Sequence, residues 1–253
     1  MNIKLMSDIH LEYNPKTMFQ AYVGSGETLI LAGDITDTHN IKRDFEWITS
    51  LDYEHIIFVC GNHEFYHGDL QETREKISDI ASKWNKLHFL DNDTVEIDGI
   101  KFIGTTLWTN YDNENPVVET ACMKIMNDFY VIDNGARGVS IEDFKNENKV
   151  AKKFLTDELT NLENPEKTVV ITHHTPSWRS CSKEFQGSLV NGSFHNKLDE
   201  LIMDTQPKYW CHGHTHSVMD YNIGDTNVMC NPLGLRDIQD SNTGFNINWS
   251  INI

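Results

Sequence analysis

Along the chain, short apolar runs alternate with longer segments whose apolar residues recur every three or four positions. The runs predict strands at residues 3–6, 28–32, 56–60, 87–89, 94–97, 101–104, 168–172, 209–212, 218–221, 226–230 and 245–251. The amphipathic segments predict helices near residues 41–51, 70–84, 117–127, 141–162 and 194–204. Polar clusters at 222–225 and 240–244 predict turns between the last strands. The first half thus interleaves strands and helices, whereas the end runs through several strands in succession. A layered α/β protein follows, with no internal repeat or low-complexity tract.

At 253 residues the chain is long enough for one domain with a substantial core, and no Pro/Gly/Ser-rich linker divides it. Residues 1–253 are expected to form a single unit. Lys and Arg total 21 against 38 Asp and Glu, a formal charge of -17. Such a surface repels a phosphate backbone. The densest basic stretch, residues 149–153, alternates with apolar residues as a helix face does, so nucleic acid is not an expected partner. Cys60, Cys122, Cys181, Cys211 and Cys230 form no C-x-x-C pair, and their odd number argues against a secreted disulfide framework. A strand opens the chain, with neither a basic leader nor an apolar stretch long enough for a membrane span. The expectation is a cytoplasmic protein without a membrane anchor.

Several predicted strands hand over directly to residues that bind hard or borderline divalent metals. Asp8 and His10 follow the first strand in S-D-I-H, Asp34 and Asp37 follow the second in G-D-I-T-D, and Asn62, His63 and Glu64 follow the third in G-N-H-E. His173 and His174 close the run 168–172 in I-T-H-H-T-P, and His214 and His216 follow 209–212 in G-H-T-H. Loops at strand ends form the rim where an open α/β sheet usually binds its ligands. Asp8 with His10, and His214 with His216, are two residues apart, so in extended backbone each pair would point to one side. Gly33, Gly61 and Gly213 precede their ligands, where the missing Cβ permits tight turns and close backbone approach. Carboxylate, imidazole and amide donors without a thiolate suit Mn, Fe, Zn, Ni or Co.

The ordered series Asp-x-His, Gly-Asp-x-x-Asp, Gly-Asn-His-Glu, His and Gly-His-x-His resembles the calcineurin-like metallophosphoesterase superfamily. The motifs span Asp8 to His216. The resemblance implies a four-layer αββα sandwich of two mixed β-sheets flanked by helices, and a site with two divalent ions, Mn being the expected pair. It implies Asp8, His10, Asp34 and His216 around one ion and Asp34, Asn62, His173 and His214 around the other, with Asp34 bridging. A hydroxide between the ions would attack the phosphorus of a phosphoester. His63 would act on the leaving group without binding metal, and Asp34 would count with it as a catalytic residue. His173 is taken as the ligand in preference to His174, because neighbours in extended chain point opposite ways. Asp37 and Glu64 are read as residues that orient ligands or loops.

Gly-Asp-Ile-Thr-Asp is followed by Thr38 and His39 where serine/threonine phosphatases of this superfamily carry Arg-Gly. What remains resembles its bacterial and phage phosphodiesterase-like branch, although Glu64 stands where that branch often has Asp. The expected substrate is a small phosphodiester, with a nucleotide among the candidates; a phosphomonoester, a nuclease activity and a non-catalytic scaffold are the alternatives. Residues 105–115, with Trp108 and Tyr111, and the long polar loop 176–193, with Trp178, Arg179, Lys183 and Phe185, are expected to shape the pocket. Trp108, His174 and Arg179 are the candidate substrate contacts, and Arg236 a weaker one.

Overall fold

The computed structural model describes residues 1–235 and 243–253. Its strands are β1 (Asn2–Met6), β2 (Gly26–Ala32), β3 (Tyr53–Val59), β4 (Gly68–Asp69), β5 (Leu87–Phe89), β6 (Asp93–Ile97), β7 (Ile100–Thr105), β8 (Ile132–Asn134), β9 (Arg137–Gly138), β10 (Thr168–Thr172), β11 (Tyr209–His212), β12 (Met219–Ile223), β13 (Thr226–Cys230) and β14 (Ser250–Asn252). One sheet has the order β14-β1-β2-β3-β5 and is parallel except for β14. The other, β12-β13-β11-β10-β7-β6, is parallel except for its outer strands β12 and β6. A small third sheet joins β4, β8 and β9.

The side-chain period of two assigns each strand residue to a layer. In β2, Ile30 and Ala32 face the second sheet, while Leu29 and Leu31 face the helices outside. In β10, Val169 and Ile171 point into the intersheet core and Val170 points outward. Strands covered on both faces must be apolar throughout, which is why they read as unbroken runs. Helices Ile41–Ile48 and Leu70–Ala81 cover the first sheet through Ile41, Phe45, Ile48, Ile77 and Ile80. Helices Ile141–Thr160 and Asp199–Thr205 cover the second through Ala151, Leu155, Leu159 and Ile202. The result is a four-layer αββα sandwich of two mixed sheets.

Local chemistry sets several helix starts. Asp69 accepts the N–H groups of Gln71 and Glu72 at 2.8 and 3.0 Å, and Ser140 forms a reciprocal capping box with Asp143. The pattern reading missed the short strands β4, β8 and β9 and the single-turn helices Tyr111–Glu114 and Asp128–Val131, and is corrected at three longer segments. The helix expected at 194–204 begins only at Asp199, because the backbone before it pairs with the loop after β10: Thr175 N–H donates to Phe194 O and Asn196 N–H to Thr175 O. The strand expected at 245–251 shrinks to Ser250–Asn252, since Asn246 turns the chain by accepting the N–H of Asn248 on its side chain and that of Trp249 on its carbonyl. Helix Lys16–Val23 had no counterpart: it buries only Phe19 and Val23, too few positions to show a periodic stripe. The turn expected at 240–244 lies partly, and Arg236 wholly, outside the described residues.

Candidate metal centre

Strands β1, β2, β3, β10 and β11 are parallel within their sheets, and the residues after their C-terminal ends meet across the intersheet seam. Convergence does not come from extended backbone, which corrects the expectation for the two-residue pairs. Asp8, His10, Asp34, His214 and His216 have φ of 51°, 50°, 55°, 70° and 47°. Asp and His tolerate this left-handed region better than most side chains, and functional sites are where such turns concentrate. The glycines allow the loops to touch. A Cβ on Gly33, whose φ is 84°, would lie 2.7 Å from Gly61 N. One on Gly61 would overlap Asp34 Oδ1 and lie 2.7 Å from His173 Cε1.

Two clusters able to hold a cation share Asp34. Asp8, His10, Asp34 and His216 form one, and Asp34, His173 and His214 the other. In the first, His10 Nε2 lies 3.1 Å from His216 Nε2 and 3.9 Å from Asp34 Oδ2, and His216 Nε2 lies 3.5 Å from Asp8 Oδ1. In the second, His173 Nε2 stands 3.3 Å from Asp34 Oδ2, 3.2 Å from Asn62 Oδ1 and 3.2 Å from His214 Nδ1. His173 Nδ1–H donates to Ala32 O at 2.9 Å, which leaves its Nε2 lone pair for the cluster. Asp8 Oδ1 accepts His214 N–H at 2.9 Å, tying the β1 loop to the β11 loop.

The electrostatics fit a cation. Burial lowers the pKa of His173, but the Asp34 and Asp8 carboxylates outweigh it and raise it to about 9. Burial raises that of Asp34, yet the surrounding imidazoles hold it well below the ordinary carboxylate range. His214, crowded by His174 and His173 in a desolvated site, is pushed well down. Aligned oxygen and nitrogen lone pairs around a buried carboxylate favour positive charge at their centre, and this donor set suits a borderline divalent ion.

Three carboxylates brace the clusters from the first-sheet side. Glu64, fully buried, accepts the N–H groups of Asp34 (3.0 Å), Ile35 (2.6 Å), Thr36 (3.1 Å) and Gly61 (2.6 Å). Burial and the Asp34 charge push its pKa up to about 7, against the pull of these donors. Asp128 accepts Asn62 Nδ2–H and Tyr66 O–H, each at 2.9 Å, so the Asn62 amide turns its oxygen toward His173. Glu12 accepts from His10 Nδ1 at 3.0 Å and His63 Nδ1 at 2.9 Å. Burial raises the Glu12 pKa, but the two imidazole hydrogen bonds prevail and lower it to about 2. His63 is desolvated too, yet the Asp34 charge and Glu12 raise its pKa above the usual value.

Residues 1–218 match the family model for calcineurin-like phosphoesterases. The chain belongs to the calcineurin-like phosphoesterases. An uncharacterized protein of Acanthamoeba polyphaga mimivirus is 26% identical over 261 residues, covering 92% of this chain and 90% of that one. Among solved structures, the phosphopantetheinyl hydrolase PptH of Mycobacterium tuberculosis superposes with a TM-score of 0.74 at 12% identity, over 92% of this chain and 89% of that one. A dimetal phosphatase of Danio rerio superposes with a TM-score of 0.52 at 14% identity, over 93% and 88%. These structures share the fold; the family makes the chain a metal-dependent phosphoric ester hydrolase.

The phosphoesterase brings Asp8, His10, Asp34, Asn62, His63, His173, His214 and His216 together, and distributes the expected substrate contacts differently. Trp108 is 2% exposed, its ring packed against Phe144, Phe65 and His174, so it fills core space. Tyr111 is likewise buried. His174 sits behind His214 with its Nδ1 at 3.2 Å from Thr106 O, in a site whose burial lowers its pKa to about 3. Arg179 is exposed and lies over the Tyr221 ring, 4.8 Å from its centroid. Asp37 accepts from Asn40 N and Nδ2 at 3.0 and 2.7 Å, serving its own turn. Sequence reasoning missed Glu12, Asp128 and Tyr66, the last stacked on His63 at 4.1 Å between ring centroids. It also missed Tyr13, 53% exposed, whose ring lies 6.4 Å from both His10 and His63. Glu12 had a local signal, an acid two residues after His10 in the same motif. No helix among the described residues is long and apolar enough to cross a membrane.

Proposed function

We propose that the protein hydrolyses a small phosphodiester at a two-metal site. Asp8, His10, Asp34 and His216 would hold one ion, and Asp34, Asn62, His173 and His214 the other, with manganese the expected metal in vitro. The observation that carries this reading is the sharing of Asp34 between two donor clusters, beside a histidine that belongs to neither of them, His63. When bound, a pair of divalent ions supplies Lewis-acid polarisation of a phosphoryl oxygen and makes water acidic enough to ionise near neutral pH.

The chain's own residues supply position and a proton. Asp34 turns Oδ2 to the clusters while its Oδ1 accepts His63 N–H at 2.8 Å, so one carboxylate would help hold the metals while it positions the acid. His63 has Nδ1 committed to Glu12 and one ring face covered by Tyr66, which leaves Nε2 to give a proton to the departing oxygen. The charge of -17 supports a small substrate over a nucleic-acid strand. Five free cysteines, four of them buried, support a reducing compartment such as the cytoplasm.

Turnover of bis(p-nitrophenyl) phosphate beside p-nitrophenyl phosphate, with metal-stripped protein reconstituted with Mn, tests the reading. Mn-dependent turnover favouring the diester is expected. Preference for the monoester would replace the diesterase with a phosphatase, and absence of turnover with two metals bound per chain would refute hydrolysis of simple esters.

A further inference from the structure

One oxygen atom joins the two functions assigned to this site. Glu12 Oε1 receives His10 Nδ1–H at 3.0 Å and His63 Nδ1–H at 2.9 Å, while Oε2, buried, has no hydrogen-bond partner among the described residues. The Glu12 side chain is 5% exposed, so water hardly competes for these contacts. The two imidazoles meet edge to face, 4.4 Å between centroids at 73°. Each ring gives up Nδ1 to the same acceptor, which leaves Nε2 of each for another partner: that of His10 lies near His216 and Asp34, and the His63 side chain is 15% exposed. Asp37, the other acid close in sequence to the motif, is occupied by Asn40.

We propose that Glu12 is a positioning residue that holds His10 and His63 through one carboxylate oxygen, so that metal affinity at the first cluster and leaving-group protonation are set by the same atom. This rests on the role given to His63 above. Removing Glu12 frees the His10 ring to rotate, and loss of such an outer carboxylate typically weakens metal binding about 10–100-fold. It also frees His63, whose contribution matters most when the leaving group is a poor one and least for an activated phenol.

The test compares wild type, Glu12→Gln, Glu12→Ala, His63→Ala and the Glu12→Ala/His63→Ala double variant, at saturating Mn, on aryl phosphodiesters of rising leaving-group pKa. Mn titration of the stripped proteins and thermal melting accompany the rates. The expected result is a steeper leaving-group dependence in Glu12→Ala, approaching that of His63→Ala, with the double variant no steeper than His63→Ala alone. Mn affinity should fall about 10–100-fold in Glu12→Ala and stay unchanged in His63→Ala. Glu12→Gln, near-isosteric and still offering an acceptor oxygen, should fall between wild type and Glu12→Ala in both readouts and guards against a folding defect. Steepening in His63→Ala but not in Glu12→Ala overturns the proposal and leaves His63's role standing. Weaker Mn binding without a changed leaving-group slope, or the reverse, overturns the shared control. A flat response in His63→Ala removes the role of His63 and this proposal with it.

Discussion

The two sheets contribute unequal halves of the centre. Residues from the first sheet's loops are braced by carboxyl groups, of which Glu12 is held firmly in its charged form: Glu64 under Asp34 and Gly61, Asp128 behind Asn62, Glu12 behind His10 and His63. The side chains from the second sheet's loops lean mainly on neutral groups, although the His214 backbone N–H is tied to the Asp8 carboxylate. His173 uses Ala32 O, His174 uses Thr106 O, and His212, beside the last motif, bonds Ser180 Oγ at 2.8 Å and Gly213 O at 2.9 Å. Charge-assisted hydrogen bonds are the stronger kind and cost more when one partner is removed. Orientation on the first-sheet side is therefore enforced more tightly, and that is the side carrying the shared carboxylate and the candidate acid.

The largest break should come from the atom group common to both halves. In Asp34→Asn the shared negative charge disappears, and turnover should fall further than the about 10²–10⁴-fold that a positioned acid contributes, with fewer than two metals per chain by elemental analysis. Retention of both metals would remove Asp34 from the bridge. A smaller effect tests the asymmetry itself. Asp128→Ala leaves the Asn62 amide with only the Tyr66 hydroxyl as acceptor and should weaken Mn binding about 10–100-fold, whereas Ser180→Ala on the neutral side should change it less than about 10-fold. Equal effects would erase the distinction between the sheets.

The smallest is a stability effect at the outer edge of the same brace. Asp44 is buried, accepts Thr36 Oγ1–H at 2.6 Å, and pairs with Lys16 Nζ at 2.7 Å and Arg43 Nε at 2.8 Å. Burial raises its pKa, but these partners outweigh burial and leave it lowered. A carboxylate lowered on folding stabilises fully above its unfolded pKa of about 3.9, and that stability fades as pH falls through the folded value. Asp44→Asn should cost about 1–3 kcal/mol at pH 7, read by urea unfolding, and the difference should shrink as the pH drops below 4. A cost that persists undiminished in acid would assign it to packing instead.

The strands and the ligand series were legible because both are local. A strand buried on two faces is a run of apolar residues, and each motif is a few residues at the end of such a run. The bracing groups were hidden for the opposite reason. Asp128 meets Asn62 across 66 residues, and Glu12 meets His63 across 51. Nothing near Asp128 announces Asn62, and the closeness of Glu12 to His10 in sequence gives no sign of His63. The burial of Trp108 was not legible because composition marks an aromatic residue without saying which layer receives it; the backbone turns left-handed there, with φ of 72° at Leu107 and 44° at Trp108, and the ring meets Phe144. Left-handed φ at Asp8 and His10 likewise carries no signature in the residue types alone.

Glu64 gives the loops after β2 and β3 the character of a host with its guest attached. Four N–H groups converge on one carboxylate, the arrangement that elsewhere captures free anions. Cutting the tether in Glu64→Ala would leave a carboxylate-shaped void lined with unpaired donors, and formate or acetate added to the buffer should fill it. Such chemical rescue, absent with chloride at equal ionic strength, would make the geometry of the metal loops a matter of solution composition.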